Sequence, residues 1–167
     1  MLNVYCTWEG PAQHMLSLQD QYAPNSHCFG CGPKNDMGLR IKSFPQGREV
    51  VSDFVAEPYQ ASFGSFVSGG IISTLLDCHG NWTALYTLMK ERNIDTPPST
   101  VTAKISISFL RPTPTGRTLH LRARPVRVEG DRVEVEGELE VDGAITVKMS
   151  GTYLAVKEGH PAFHRWE

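Results

Sequence analysis

One segment of the chain, from Gly70 to about Arg92, has uninterrupted helical periodicity, and it decides which folds the chain can adopt. Its apolar residues recur at spacings of three and four, as on a helix with one buried face. They are Ile72, Leu75, Leu76, His79, Trp82, Tyr86 and Met89. A helix of about 22 residues is roughly 33 Å long, so it needs a partner of similar length to cover that face. The consecutive prolines Pro97 and Pro98 prevent it from continuing.

The remaining sequence supplies strands rather than a second long helix. Beyond Pro98, apolar and polar residues alternate, which is typical of half-buried strands. We predict long strands over residues 101–109, 118–128, 133–141 and 145–156. Gly130-Asp131 and Asp142-Gly143 are hairpin turns, so we expect these strands to form an antiparallel meander. The alternation shifts phase at Pro125, which indicates a bulge or an edge.

Two shorter strands precede the helix. Leu39–Phe44 and Glu49–Ala56 flank a turn, and residues 57–68 are predicted as a loop. One long helix among antiparallel strands predicts an α+β fold, in which a curved antiparallel sheet wraps around one central helix. We assign residues 27–156 to a single domain. Residues 1–26 form an N-terminal segment with a short helix near Gln13–Tyr22, and residues 157–167 form a C-terminal tail.

Composition and charge exclude several classes of protein. The 167 residues carry a net charge of −2, which gives no electrostatic reason to expect nucleic acid or an anionic membrane as partner. No apolar run approaches the roughly 18 residues that a membrane span needs. The first residues lack the basic start of a secretory signal, and the 4 cysteines are irregularly spaced, so we expect a cytoplasmic location.

A stripe of small and polar residues runs along the predicted helix. Its members are Ser73, Thr74, Asp77, Gly80, Asn81 and Ala84. A glycine inside a helix costs about 1 kcal/mol relative to alanine, so a second helix or a ligand is expected to approach closely there. The alternative is a solvated face. Asp77 is the first carboxylate of the helix and a functional candidate; alternatively, it only bonds a neighbour such as Ser73.

Gly69 and Gly70 stand where the helix begins, and free N–H groups there favour an anion or a developing oxyanion. The alternative is an ordinary tight turn. Eight helical residues place Gly69 and Asp77 about 12 Å apart, so one chain cannot bring both to one reacting carbon. Two such helices, antiparallel about a two-fold axis, could do so. This arrangement predicts an obligate dimer with two composite sites.

Three segments make the chain resemble hotdog-fold thioesterases of the phenylacetate (PaaI-like) group. They are residues 68–77 (SGGIISTLLD), residues 28–33 (CFGCGP) with Gly38-Leu39, and residues 109–114 (FLRPTP). The resemblance extends over residues 27–156. It implies a hotdog fold and an acyl-CoA thioesterase that works as a homodimer or a dimer of dimers. It implies no cofactor, because coenzyme A enters as part of the substrate.

The resemblance also implies roles for individual residues. Asp77 would be the general base or nucleophile, Gly69 would donate its N–H to the thioester carbonyl across the dimer interface, and Thr102 would orient water. Gln60 is the candidate to hold the carbonyl, with Ser62 as its rival. Many members have histidine where this chain has Ser68, which we place with Gly70 among the substrate-binding residues.

Other features leave alternatives open. Arg111 could meet coenzyme A phosphates, or it could be an ordinary surface charge. His27, Cys28 and Cys31 suggest zinc, but a structural site needs four ligands and Cys6 and Cys78 are distant in sequence, so we expect no metal. A catalytically silent acyl-CoA or lipid-binding domain is the alternative function, favoured by the absence of histidine at position 68. A hotdog dehydratase or hydratase is a third.

Overall fold

The computed structural model describes residues 15–166 of the chain. Within this range, two α-helices and eight strands follow one another, with a short 3₁₀ helix at Pro58–Gln60 between β2 and β3. In chain order they are α1 (Leu18–Tyr22), β1 (Phe44–Gln46), β2 (Glu49–Val55), β3 (Ala61–Phe63), β4 (Phe66–Val67), α2 (Gly69–Arg92), β5 (Thr100–Phe109), β6 (Thr118–Glu129), β7 (Arg132–Val141) and β8 (Ala144–Ala155). No helix among the described residues is both long enough and apolar enough to cross a membrane.

Six strands form one antiparallel sheet in the order β1-β2-β6-β7-β8-β5, and α2 packs against β5 to β8. The buried rows on β6, β7 and β8 supply the surface that the apolar face of α2 requires. The predicted α+β class is therefore confirmed, as are the long helix and both hairpin turns. The phase shift at Pro125 is a register shift between Pro125 and Arg127, as predicted.

The predicted four-strand meander is wrong in one respect. β6, β7 and β8 are consecutive hairpins, but β5 pairs with β8 and forms the far edge of the sheet. The two-residue turns force neighbouring strands to pair, whereas the longer connection after β5 can cross the sheet. Residues 110–117 make that crossing, and the Thr113 carbonyl and Thr115 amide bond to the β3–β4 hairpin at Val67 and Ser65.

Three local predictions are also corrected. Leu39–Phe44 is not a strand over its length, because Leu39 and Ile41 donate to the Phe29 and Gly30 carbonyls and only Phe44–Gln46 joins β2. The predicted loop at 57–68 contains the 3₁₀ helix and the β3–β4 hairpin. Of the helix predicted near Gln13–Tyr22, residues 15–17 are not helical and Leu18–Tyr22 is, while residues 13 and 14 lie outside the described residues.

The middle of α2, residues 78–85, is buried, because the segment before β1 covers part of the face that the sheet leaves open. His79 bonds to both neighbours: its Nδ1 meets Ser43 Oγ of that segment at 2.9 Å, and its Nε2 donates to the Val50 carbonyl of β2 at 2.9 Å. Complete burial lowers the pKa of His79 to about 4, so the ring is neutral at neutral pH. His79 and Trp82 are core residues, as their positions on the apolar face predict.

Gly80 does not receive a second helix. A β-carbon at this position would lie 2.1 Å from the Tyr153 hydroxyl and 2.8 Å from Met149 Cε, both on β8. The close approach that the glycine predicted therefore occurs within the chain, between α2 and its own sheet. Any pairing with a second copy must use other parts of the stripe.

We expect Gly80→Ala to destabilise the fold by about 3 kcal/mol, although alanine is the better helix former by about 1 kcal/mol. The reason is steric, because Tyr153 is fully buried and its hydroxyl occupies the place of the new methyl group. Chemical denaturation measures the change. Tyr153→Phe in the same chain removes the nearest atom and should restore part of the loss; an unchanged free energy of unfolding in Gly80→Ala would contradict this packing.

Candidate active site

Asp77 lies in the third turn of α2, half-buried, facing β5. Its Oδ1 accepts a hydrogen bond of 2.7 Å from Thr102 Oγ1. The alternative partner considered from sequence, Ser73, instead donates to the Gly69 carbonyl at 2.7 Å. The register of β5 against β8 shifts between Thr102 and Lys104, which is a bulge beside the site. Bulges of this kind re-aim a side chain without breaking the sheet.

Burial dominates the electrostatics of Asp77. Loss of solvent raises the pKa of its carboxyl group above the ordinary value, while the Thr102 hydroxyl and the Arg165 guanidinium oppose the rise. A partly desolvated carboxylate holds a proton more readily than one in water. A carboxylate with a raised pKa is a stronger base than one in water, which suits it to accept a proton.

The C-terminal residues pack beside Asp77, a feature that the strand and helix patterns did not predict. Arg165 Nη1 donates to the Thr100 carbonyl at 2.7 Å, and its guanidinium lies over the Trp166 ring. Trp166 in turn contacts Trp82 of α2, with ring centroids 4.9 Å apart. The signal that could have indicated this was the aromatic and basic composition of the last residues, which is unusual for a solvated tail.

A cavity of about 90 Å³ opens next to the carboxylate. Its walls are Cys28, Cys31, Asp77, Cys78, Asn81, Trp82, Thr102, Arg165 and Trp166. Water occupies about 30 Å³ per molecule in the liquid, so the cavity has room for water beside Asp77. Asn81 Oδ1 accepts from Thr100 Oγ1 at 2.7 Å, which gives α2 and β5 a second side-chain bond one turn after the Asp77–Thr102 bond.

Three free thiols border the same cavity. The Sγ atoms of Cys28, Cys31 and Cys78 all lie within 4.8 Å of one another, although Cys78 is distant from the other two in sequence. The sequence argument that Cys78 is too far away to join this group is therefore wrong. His27 is exposed and outside the cluster. Hydrogen bonds from the Cys31 and Cys78 thiols lower the pKa of Cys28.

The beginning of α2 is a separate, exposed place. Gly69 and Gly70 are exposed, and Ser68 precedes them as N-cap without a side-chain capping bond. The nearest atom to a β-carbon on Gly69 would be Phe109 Cζ, at 3.4 Å. The first amides of the helix are thus open to a ligand at the positive end of the helix dipole.

Gln60 lies against this helix start. Its backbone carbonyl accepts from the Ser68 amide at 2.9 Å, and its side-chain Oε1 accepts from the Glu57 amide at 2.9 Å. Ser62 is exposed on β3, and Arg111 is exposed with its amide donating to the Thr146 carbonyl. The sequence candidates therefore form two groups in one chain. Asp77 meets Thr102 in one group. Gln60, Ser68 and Gly69 form the other group at the start of α2, about two helical turns before Asp77.

A family model and a solved structure both relate this chain to the thioesterase superfamily. The family model described as thioesterase superfamily matches residues 64–148. A thioesterase superfamily protein from Shewanella loihica PV-4 is 30% identical, with 79% of this chain and 96% of that one covered and a TM-score of 0.62. No curated protein sequence matches the chain.

Two further solved structures share the fold. A putative thioesterase from Ralstonia eutropha JMP134, described as phenylacetic acid degradation-related, is 25% identical over 70% of this chain and 86% of that one, with a TM-score of 0.59. A Streptococcus mutans UA159 protein bound to acetyl CoA is 19% identical, with 70% and 88% coverage and a TM-score of 0.59.

Proposed function

The chain belongs to the thioesterase superfamily, and from that premise we propose that it hydrolyses an acyl-CoA thioester to the free acid and coenzyme A. The observation that carries the proposal is the half-buried Asp77, held by Thr102 beside a cavity with room for water. Thioester hydrolysis needs such a carboxylate as well as a donor for the carbonyl oxygen.

Asp77 acts on water or on the thioester itself. As a general base, its Oδ2 takes a proton from water while the water oxygen attacks the acyl carbon, because Oδ1 is engaged by Thr102. As a nucleophile, the carboxylate attacks that carbon and forms an anhydride, which water then hydrolyses. In both routes the C–S bond breaks, and the thiolate of coenzyme A leaves and takes up a proton. Thr102 keeps the carboxylate oriented in either case.

Gly69 supplies the second catalytic group, the donor for the carbonyl oxygen, as a backbone N–H at the positive end of α2. Charge develops on the carbonyl oxygen as the acyl carbon is attacked, and a fixed N–H at a helix start stabilises it. Gln60 sits against the same helix start and is assigned to the carbonyl as well, with Ser62 as the weaker candidate because it is exposed on β3. Ser68, Gly70 and the exposed Arg111 are assigned to substrate binding.

A dimer would bring the Gly69 N–H and the Asp77 carboxylate together. In one chain Gly69 and Asp77 are about 12 Å apart along one helix, but two antiparallel copies of α2 would place the glycine of one copy beside the aspartate of the other. β5 is a ten-residue strand at the edge of the sheet that the described residues form, so its outer backbone groups, apart from the Thr100 carbonyl that Arg165 occupies, can pair with a second copy. Near its end, Phe109 and Leu110 are 54% and 52% exposed, which favours burial against a partner.

Release of free thiol from a panel of acyl-CoAs tests the proposed reaction. We expect turnover of at least one aliphatic or aromatic acyl-CoA, measured with a thiol reagent, together with a dimer or a dimer of dimers by light scattering. Measurable acyl-CoA binding without thiol release from any member would contradict the enzyme and favour a silent binding domain, the alternative that Ser68 in place of histidine supports.

A further inference from the structure

We propose that Cys28, Cys31 and Cys78 bind one Zn²⁺ ion, with three thiolate ligands from this chain and a water molecule as the fourth. Two ligands come from the turn at residues 28–31 and the third from α2. The inference is independent of the proposed hydrolysis, because it rests on the thiol cluster and not on the Asp77 carboxylate.

The spacing of the sulfur atoms fits a tetrahedral ion. Zinc–sulfur bonds of about 2.3 Å place two thiolates of a tetrahedron about 3.8 Å apart. Cys28 Sγ and Cys78 Sγ are 4.0 Å apart, and all three sulfur atoms lie within 4.8 Å of one another. The largest of these sulfur–sulfur separations has to shorten by at most about 1 Å, or about 0.5 Å for each atom, for the three to close around one ion.

An N–H donor points at one of the three sulfur atoms. Trp82 Nε1 donates to Sγ of the buried Cys31 at 3.3 Å. Outer hydrogen bonds of this kind hold metal ligands in place and spread their negative charge. The Trp82 indole is thus placed to support Cys31 as a metal ligand.

The loop is shaped around the cluster and admits no side chain there. A β-carbon on Gly30 would lie 2.3 Å from Cys78 Sγ, and one on Gly32 would lie 2.4 Å from the Cys28 amide nitrogen. The Gly32 amide donates to the Cys28 carbonyl at 2.8 Å, which closes the turn that presents both cysteines on one side. The two glycines therefore allow Cys28 and Cys31 to face Cys78.

The residues around the three thiols leave space for a fourth zinc ligand and offset the net charge of the zinc site. Three thiolates and Zn²⁺ carry a net charge of −1, and the Arg165 guanidinium lines the same cavity. The cavity of about 90 Å³ gives space for the fourth ligand, water, next to the sulfur atoms. A metal here would tie the turn to α2, so its loss is expected to lower the thermal unfolding temperature.

Co²⁺ titration of the full-length, reduced protein tests the site, because Co²⁺ reports both the ligand type and the geometry of a zinc site. We expect sulfur-to-cobalt charge-transfer absorption and intense visible d–d bands that saturate at one Co²⁺ per chain and disappear when Zn²⁺ is added. Absence of those bands, or a disulfide among Cys28, Cys31 and Cys78 in the protein purified under reducing conditions, would overturn the proposal.

Variants locate the ion independently of the spectrum. Cys28→Ser and Cys78→Ser should each abolish stoichiometric Zn²⁺ binding, whereas His27→Ser, which removes an exposed residue beside the cluster that is not one of its ligands, should retain one Zn²⁺ per chain. Circular dichroism checks that each variant is folded. Equal metal loss in His27→Ser, or full retention in Cys78→Ser, contradicts the three-ligand site.

Discussion

Asp77→Asn is expected to lower kcat for acyl-CoA hydrolysis by about 10²–10³-fold or more while the protein stays folded. Asparagine has the same shape and can still accept the Thr102 hydrogen bond at its Oδ1, but it can neither take a proton from water nor attack the thioester. The fold should not suffer, because burial disfavours the charged carboxylate that the substitution removes. Steady-state kinetics and thermal unfolding, measured on the same preparation, provide both readouts.

Asp95→Asn is the matched control. Asp95 is exposed in the loop after α2, so its conversion removes the same charge outside the site. We expect wild-type kcat and KM for Asp95→Asn. Wild-type turnover in Asp77→Asn would remove Asp77 from the mechanism, and an unfolded Asp77→Asn protein would contradict the argument that burial of its charge is unfavourable.

Gly69→Pro is expected to lower kcat by a similar factor, about 10²–10³-fold, through the loss of a single N–H. Proline is well tolerated at the first position of a helix, where its missing N–H has no partner in the helix. Ser68 has ψ of 133°, the extended conformation that a residue before proline prefers. The substitution therefore deletes the proposed oxyanion donor with little disturbance of α2.

Gly69→Ala separates loss of the donor from added bulk. It keeps the N–H and places a β-carbon 3.4 Å from Phe109 Cζ, close to ordinary contact distance. We expect Gly69→Ala to retain most of the activity that Gly69→Pro loses, with the difference in kcat rather than KM. Equal losses in both variants would mean that space at the helix start matters and the N–H does not.

The central helix was predictable because its signal is local. Helical spacing and the prolines after it give α2 within one residue of its observed start. The position of β5 was not predictable in this way, because pairing with β8 instead of β6 depends on how residues 110–117 cross the sheet. No pattern within a strand carries that information. Periodicity identifies elements, and the connections between them decide which neighbours they have.

In the candidate site, too, local patterns were predictable and contacts between distant segments were not. The pattern on α2 was enough to select Asp77, but the cluster that Cys78 forms with Cys28 and Cys31 depends on a turn folding back onto the helix. The contact of Arg165 with Thr100 likewise joins parts of the chain that are far apart in sequence. At Gly80 the predicted close approach is present, but the sequence did not identify the approaching group. That group is Tyr153 of the same chain and not a second helix.

The most direct test of the shared site is the activity of a heterodimer made from two inactive chains. One chain carries Asp77→Asn and the other Gly69→Pro; differently tagged, they are co-expressed and purified through both tags. If each site takes Gly69 from one copy and Asp77 from the other, the heterodimer contains one intact site and recovers about half of the wild-type kcat per dimer. A heterodimer as inactive as both parent homodimers would show that the two groups do not act together across the interface.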